Sequence, residues 1–193
     1  VNGSAGIAVQ DLSVTRARLY DIPDAEMVVV SPVVRPGAAT DSFATQAVPK
    51  TRGTRAAVMM DARPRGTKRF ADAVAASALR SLRDEKRRAV VYVLGSGAAP
   101  DQSENSPAVV RRYLARIGVP LRVWSMTGPR PDLIDTWGPV IDVSSAPLLL
   151  KATKELREEL DSQRIAWVPA GPLEAIRTEA TEDCGVIPIA TSR

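Results

Sequence analysis

Three short stretches carry residue types that could do chemistry. Gly95-Ser-Gly-Ala-Ala-Pro-Asp101 follows an apolar, β-branched run, 89–94. Glycines after a strand can turn backbone N–H groups toward a phosphate. The spacing departs from a dinucleotide fingerprint, because Pro100 stands where the third glycine belongs and the next N-cap residue is Ser106. A loop that needs backbone freedom at a strand end is the favoured reading of the stretch. Asp61-Ala-Arg-Pro-Arg-Gly-Thr67 puts an acid and two arginines after a second apolar run, 56–61. Open sheets bind ligands at strand C-terminal ends, so Arg63, Arg65, Lys68 and Arg69 could hold a phosphate or carboxylate, or form a solvated basic loop. Arg83-Asp-Glu-Lys-Arg-Arg88 reads as a helix end whose charges suit the helix dipole.

Other chemistries are excluded by what the chain lacks. Histidine is absent, which removes the commonest base, the commonest zinc ligand and any Ser-His-Asp triad. Cys184 is the single cysteine, so no internal disulfide or cysteine-based zinc cluster forms, and no histidine activates it as a nucleophile. The formal charge of +4 makes the chain mildly basic, yet aromatics are only 4% and offer few stacking platforms for single-stranded nucleic acid. Trp124 and Trp167 fall in strand-like runs and are expected in the core. Trp137 lies in a proline-rich stretch and is expected as an exposed partner contact. No apolar run reaches the ~20 residues of a membrane helix, and no charged-then-apolar leader opens the chain. Val1 is not an initiator methionine, so the chain is expected to be a piece of a longer product.

The elements that would position these residues follow from periodicity. Residues 67–84 place Phe70, Ala71, Val74, Ala75, Ala78, Leu79 and Leu82 on one helical face. Ser106-Pro107 opens a second helix as N-cap and first-turn proline, and Gly118 closes it. In residues 147–162, Leu149, Ala152, Leu156 and Leu160 form an inner face with charged residues outside. Buried-type strands are expected at 26–31, 56–61, 89–94, 119–125 and 163–168, with 89–94 as the organising strand. Residues 41–48 suggest a short helix, 126–147 are too punctuated for one, 139–143 suggest a short strand, and Pro188 confines 185–190 to an edge. Helix and strand alternate, which predicts an α/β, doubly wound, mostly parallel sheet with helices on both faces. Residues 1–25 form an N-terminal arm or the remnant of a preceding β module, and 26–193 form the α/β domain.

Arg69-Phe-Ala-Asp-Ala-Val74, Lys86-Arg-Arg-Ala-Val-Val-Tyr-Val-Leu-Gly95, Ile117-Gly-Val-Pro-Leu-Arg-Val-Trp124 and Leu156-Arg-Glu-Glu-Leu-Asp-Ser-Gln-Arg-Ile-Ala-Trp-Val168 together resemble the von Willebrand factor type A-related domains of bacterial, especially acidobacterial, secreted proteins. The resemblance spans roughly 66–170 and implies an extracytoplasmic (periplasmic or secreted) interaction domain. Metal-binding members carry Asp-x-Ser-x-Ser after the first strand, a threonine opening a later helix, and an aspartate in Asp-Gly, hard oxygen ligands suited to Mg²⁺. Here Ser31, Val33 and Arg35 stand at the first motif, Lys68 at the threonine with Thr67 one residue away, and Leu94 at the second aspartate. The resemblance therefore implies a degenerate site and no metal or other cofactor.

The expected function is a non-catalytic protein-interaction or assembly module with no catalytic residues, no nucleic-acid partner and no membrane span. Its expected partner-binding residues are Trp137, Arg63, Arg65, Lys68 and Arg35. The alternative is an enzyme or ligand-binding domain that takes an anionic small molecule at the strand C-terminal edge, with a pocket converging on Arg63, Arg65 and residues 95–97.

Overall fold

The computed structural model describes residues 27–30, 32–34, 43, 45–48, 67–82, 87–95 and 100–163. In chain order these form β1 (Met27–Val30), β2 (Val33–Val34), β3 (Thr45–Val48), β4 (Thr67–Lys68), α1 (Phe70–Ser81), β5 (Val90–Leu94), α2 (Pro107–Arg116), β6 (Leu121–Ser125), a 3₁₀ turn (Pro131–Leu133), α3 (Ile134–Trp137), β7 (Val140–Asp142) and α4 (Ala146–Ser162). β5, β6 and β7 make a three-stranded parallel sheet in that order. The architecture is α/β.

Side-chain alternation divides the core into two layers. Val90, Tyr92, Leu94, Leu121, Val123 and Val140 point to the face covered by α1, α2 and Trp137. Ala89, Val91, Val93, Trp124 and Ile141 point to the other face, where Leu149, Ala152 and Leu156 of α4 cover them. Trp124 is fully buried, as its place in the strand predicts. β5, covered on both faces, is apolar throughout, whereas β6 carries Arg122 and Ser125 and β7 ends on Asp142.

The helix boundaries follow local chemistry. Ser106 Oγ accepts the Val109 N–H, and Pro107 occupies a first-turn position whose missing N–H costs nothing. Beyond its C-terminus, Gly118 adopts φ 64°, a left-handed conformation that favours glycine. On α4, Thr153 satisfies its buried hydroxyl by donating to the Leu149 carbonyl. The far end of α4 is tied to the start of β5: Gln163 Oε1 accepts the Arg88 N–H and Gln163 Nε2 donates to the Arg88 carbonyl, both at 2.9 Å.

Several expectations need correction. β1 does not join the parallel sheet; it pairs antiparallel with β3, Met27 opposite Val48. Residues 45–48 are therefore strand rather than helix, and β2 pairs antiparallel with β4. Within the described sheet β6 is the middle strand and β5 stands at one end. The punctuated segment 126–147 does contain helix, the 3₁₀ turn and α3, because the sequence between Pro131 and Gly138 is long enough for single turns. Leu79 is 51% exposed at the margin of a buried stripe centred on Ala71, Val74 and Ala78. The strands expected at 56–61, 163–168 and 185–190, the N-terminal arm 1–25, Trp167 and Cys184 lie outside the described residues.

Candidate functional site

At the strand C-terminal ends the structure builds a polar clasp. Helix α1 begins without a side-chain cap from its own sequence, which leaves its first N–H groups in need of partners. Distant residues supply them. Arg69 N–H donates to the Pro32 carbonyl, Phe70 and Ala71 N–H donate to the two Asp101 carboxylate oxygens, and Asp72 N–H donates to Ser103 Oγ. The Asp101 charge also suits the positive end of the helix dipole.

Asp72, in the first turn of α1, reaches back into the same loop. Its carboxylate accepts from the Glu104 N–H, the Asn105 N–H and side-chain amide, and Arg69 Nε at 2.7 Å. Burial alone would raise the Asp72 pKa. The hydrogen bonds from Asn105, Glu104 and Arg69 outweigh it and hold the carboxyl below the usual range. Arg69, 8% exposed, also pairs with Glu104 at 3.0 Å and places its guanidinium 6.0 Å from the Phe43 ring centre. Residues 101–105 are thus fastened to 68–72 by bonds that span about thirty positions of sequence.

Beneath the clasp runs a short aromatic row. Tyr92 lies between Phe70, with ring centres 6.0 Å apart, and Trp137, at 4.8 Å. Burial, reinforced by the Asp101 charge and opposed by Arg130, pushes the Tyr92 phenol well above its ordinary value.

A cleft of about 510 Å³ runs along α2, from Ala108 in its first turn to Ala115 in its last, and reaches the start of β6 at Leu121. Residues 108, 111, 112 and 115 lie at helical spacing on one face of α2 and form one side of the cleft. Val119, Pro120, Leu121, Pro139 and Ile141 form much of the other. Three arginines line it. Arg122 is paired with Glu159 of α4 at 2.8 Å. Arg111 and Arg112 make no hydrogen bond or ion pair among the described residues, and α2 contains no acidic residue to supply one. The Arg111 guanidinium lies over Gly138, where an added Cβ would come within 2.8 Å of Nη2. Gly138 has φ 79°, so the glycine serves both the turn and the close approach.

The expected partner-binding residues fare unevenly. Trp137 is 6% exposed and packed in the core, so it is not the exposed anchor expected from its proline-rich surroundings. The 3₁₀ turn and α3 fold that segment against α2 and carry the ring onto Tyr92. Lys68 is half-buried in β4 opposite Val33, and its carbonyl accepts the Gln102 N–H. Arg35, Arg63 and Arg65 lie outside the described residues, as do residues 96–99. Of the glycine loop only Gly95 is described at its start; it is exposed, with nothing within 4 Å of a Cβ placed there. The cleft does not include it.

Of the positions that the resemblance implies for Mg²⁺, Ser31 and Arg35 lie outside the described residues. Leu94 is an apolar side chain packed against the core, Lys68 is a cation, and Val33 is buried. Arg111 and Arg112 carry a signal that the sequence did contain: adjacent arginines in a helix with no acid three or four positions away. Apart from the Arg69–Asp72 pair, the bonds that join the clasp's two segments have no such local signal, because those partners are far apart in the chain. Among the described residues no helix is long and apolar enough to cross a membrane. Comparison with protein-family models, with curated proteins and with solved structures returned no match, so the reading of the site rests on its own geometry.

Proposed function

We propose that this chain is a non-catalytic protein-interaction or assembly module, built on a doubly wound domain of von Willebrand A-like type whose metal site has been lost. The observation that carries the reading is the occupation of the polar groups at the strand C-terminal ends. Asp72 and Asp101 spend their lone pairs on backbone and side-chain donors, as caps and fasteners, which leaves them little capacity for a substrate proton or a ligand. The raised pKa of Tyr92 keeps its phenol neutral and so unsuited to act as a base. Leu94 and Lys68 at positions where hard oxygen ligands would be needed support the loss of the metal site. The doubly wound arrangement is supported by helices on both faces of β5–β7 and by the return of α4 to the start of β5 through Gln163. An extracytoplasmic place, expected from the resemblance, belongs to the same proposal.

An interaction role also suits the cleft along α2, where arginine stands beside apolar side chains. Protein interfaces are enriched in that combination. Affinity purification of the tagged protein from its native cells, after mild cross-linking, tests the role. A protein partner at near-equal stoichiometry is expected. Recovery of the chain alone, cross-linked to nothing above background, would contradict it.

A further inference from the structure

The arginine-lined cleft has a chemistry of its own. Arg111 and Arg112 bring two positive charges to one side of it, and no acidic side chain lines it among the described residues. Glu159 neutralises Arg122 but not these two. Arg111 is half-buried against Gly138, so its charge is partly withdrawn from water, and no carboxylate among the described residues compensates it. Two adjacent guanidinium groups on a helix can grip carboxylates with paired, planar hydrogen bonds.

We propose that this cleft binds a short acidic segment of a partner protein, with Arg111 and Arg112 holding its carboxylates and a neighbouring apolar side chain resting on Leu121 and Pro139. The inference rests on the interaction role proposed above and names the partner's chemistry. The geometry favours a peptide over a free inorganic anion. Ala115 of α2, in the last turn of that helix, and Trp137, the last residue of α3, both line the cleft. Ala108, in the first turn of α2, lines it as well, so the helix ends do not decide between ligands; the apolar lining does, because Leu121 and Pro139 give a peptide side chain contacts that a free inorganic anion cannot use. Two exposed or half-exposed arginines alone give little affinity in water, so apolar contact must supply much of it. Nucleic acid is disfavoured because a phosphate backbone is tracked by an extended row of cations and stacking rings, and this cleft offers a pair.

The test uses the full chain and fluorescence anisotropy with three labelled peptides. One alternates Asp or Glu with Leu, one replaces its acids by Asn and Gln, and one keeps the acids but replaces Leu by Ser. Only the first should bind in the micromolar range, with each of the others weaker by about tenfold or more. The Arg111→Gln, Arg112→Gln double variant should lose about tenfold or more of that affinity, while Arg157→Gln on α4 should bind as the parent does. Arg112→Gln alone, at an exposed position, should show an intermediate loss with unchanged melting, which separates binding from folding. Equal binding of the acidic and amide peptides, or parental binding by the double variant, would overturn the proposal. So would equal binding of the Leu and Ser peptides with full displacement by millimolar inorganic phosphate, which would make the cleft a small-anion site. A native partner retained equally by parent and double variant would refute the cleft and leave the interaction role standing. No partner at all would refute the interaction role.

Discussion

Asp72 is a buried carboxylate surrounded by donors, and its charge state is therefore tied to the fold. Its folded pKa lies below the ordinary value of 3.8, so folding releases a proton in acid, and the unfolded chain binds more protons there. The stabilisation is present above the ordinary value and is lost as pH falls through the folded one. Asp72→Asn should flatten the fall of melting temperature in that acid window and should lower stability at neutral pH by about 1–3 kcal/mol, because the new amide N–H group faces donors. A thermal melt series from neutral pH to pH below 3.8 checks both. Trp137 belongs to the same scale. Its burial between Tyr92 and α2 means that Trp137→Ala should cost about 3–5 kcal/mol of stability, measured by denaturant unfolding. Nothing near Trp137 in sequence reveals that burial. It depends on the 3₁₀ turn and α3 reaching α2, a contact across the chain, whereas Trp124 was legible because it falls in a strand-like run.

At the scale of elements, what the sequence disclosed tracks how local the cause is. The inner face of α4 and the caps of α2 follow from residues three or four positions apart, and both stand where the periodicity puts them. Residues 41–48 suggest a short helix, but 45–48 pair with β1, and that pairing overrides a weak local propensity. The N-terminus of α1 was opaque for another reason: its caps come from Asp101 and Ser103, about thirty residues later. Asp101→Ala removes two of those bonds at once and should cost about 1–2 kcal/mol. Amide hydrogen exchange should then quicken first at residues 70–72. Gly138 joins α3 to β7 under two constraints, a positive φ and the Arg111 guanidinium above it. Gly138→Ala should cost about 1–3 kcal/mol. It should also displace Arg111 and weaken binding of the acidic peptide, whereas Gly95→Ala, which meets open space, should leave that binding unchanged.

Across the whole molecule, the clasp and the cleft have different characters. At the C-terminal ends, where open α/β sheets place their ligands, polar groups are bonded inward and hold α1 to the loop after β5. Along α2 and toward the start of β6, an open cleft presents Arg111 and Arg112 without acidic partners among the described residues. Calorimetric titration with Mg²⁺ or Mn²⁺ should give no binding heat at millimolar concentration; saturable binding would contradict the loss of the metal site. The alternation of helix and strand made the α/β class legible, while the placement of the cleft was not, since the sequence directs attention to glycines and arginines at the strand C-terminal ends. The most direct measurement is hydrogen–deuterium exchange on the full chain with and without the acidic, leucine-bearing peptide. Protection should concentrate in 111–122 and 138–141 and leave 69–72 and 100–105 unchanged. Protection of 69–72 and 100–105 with none in the cleft would contradict the account and return the binding surface to the strand C-terminal ends.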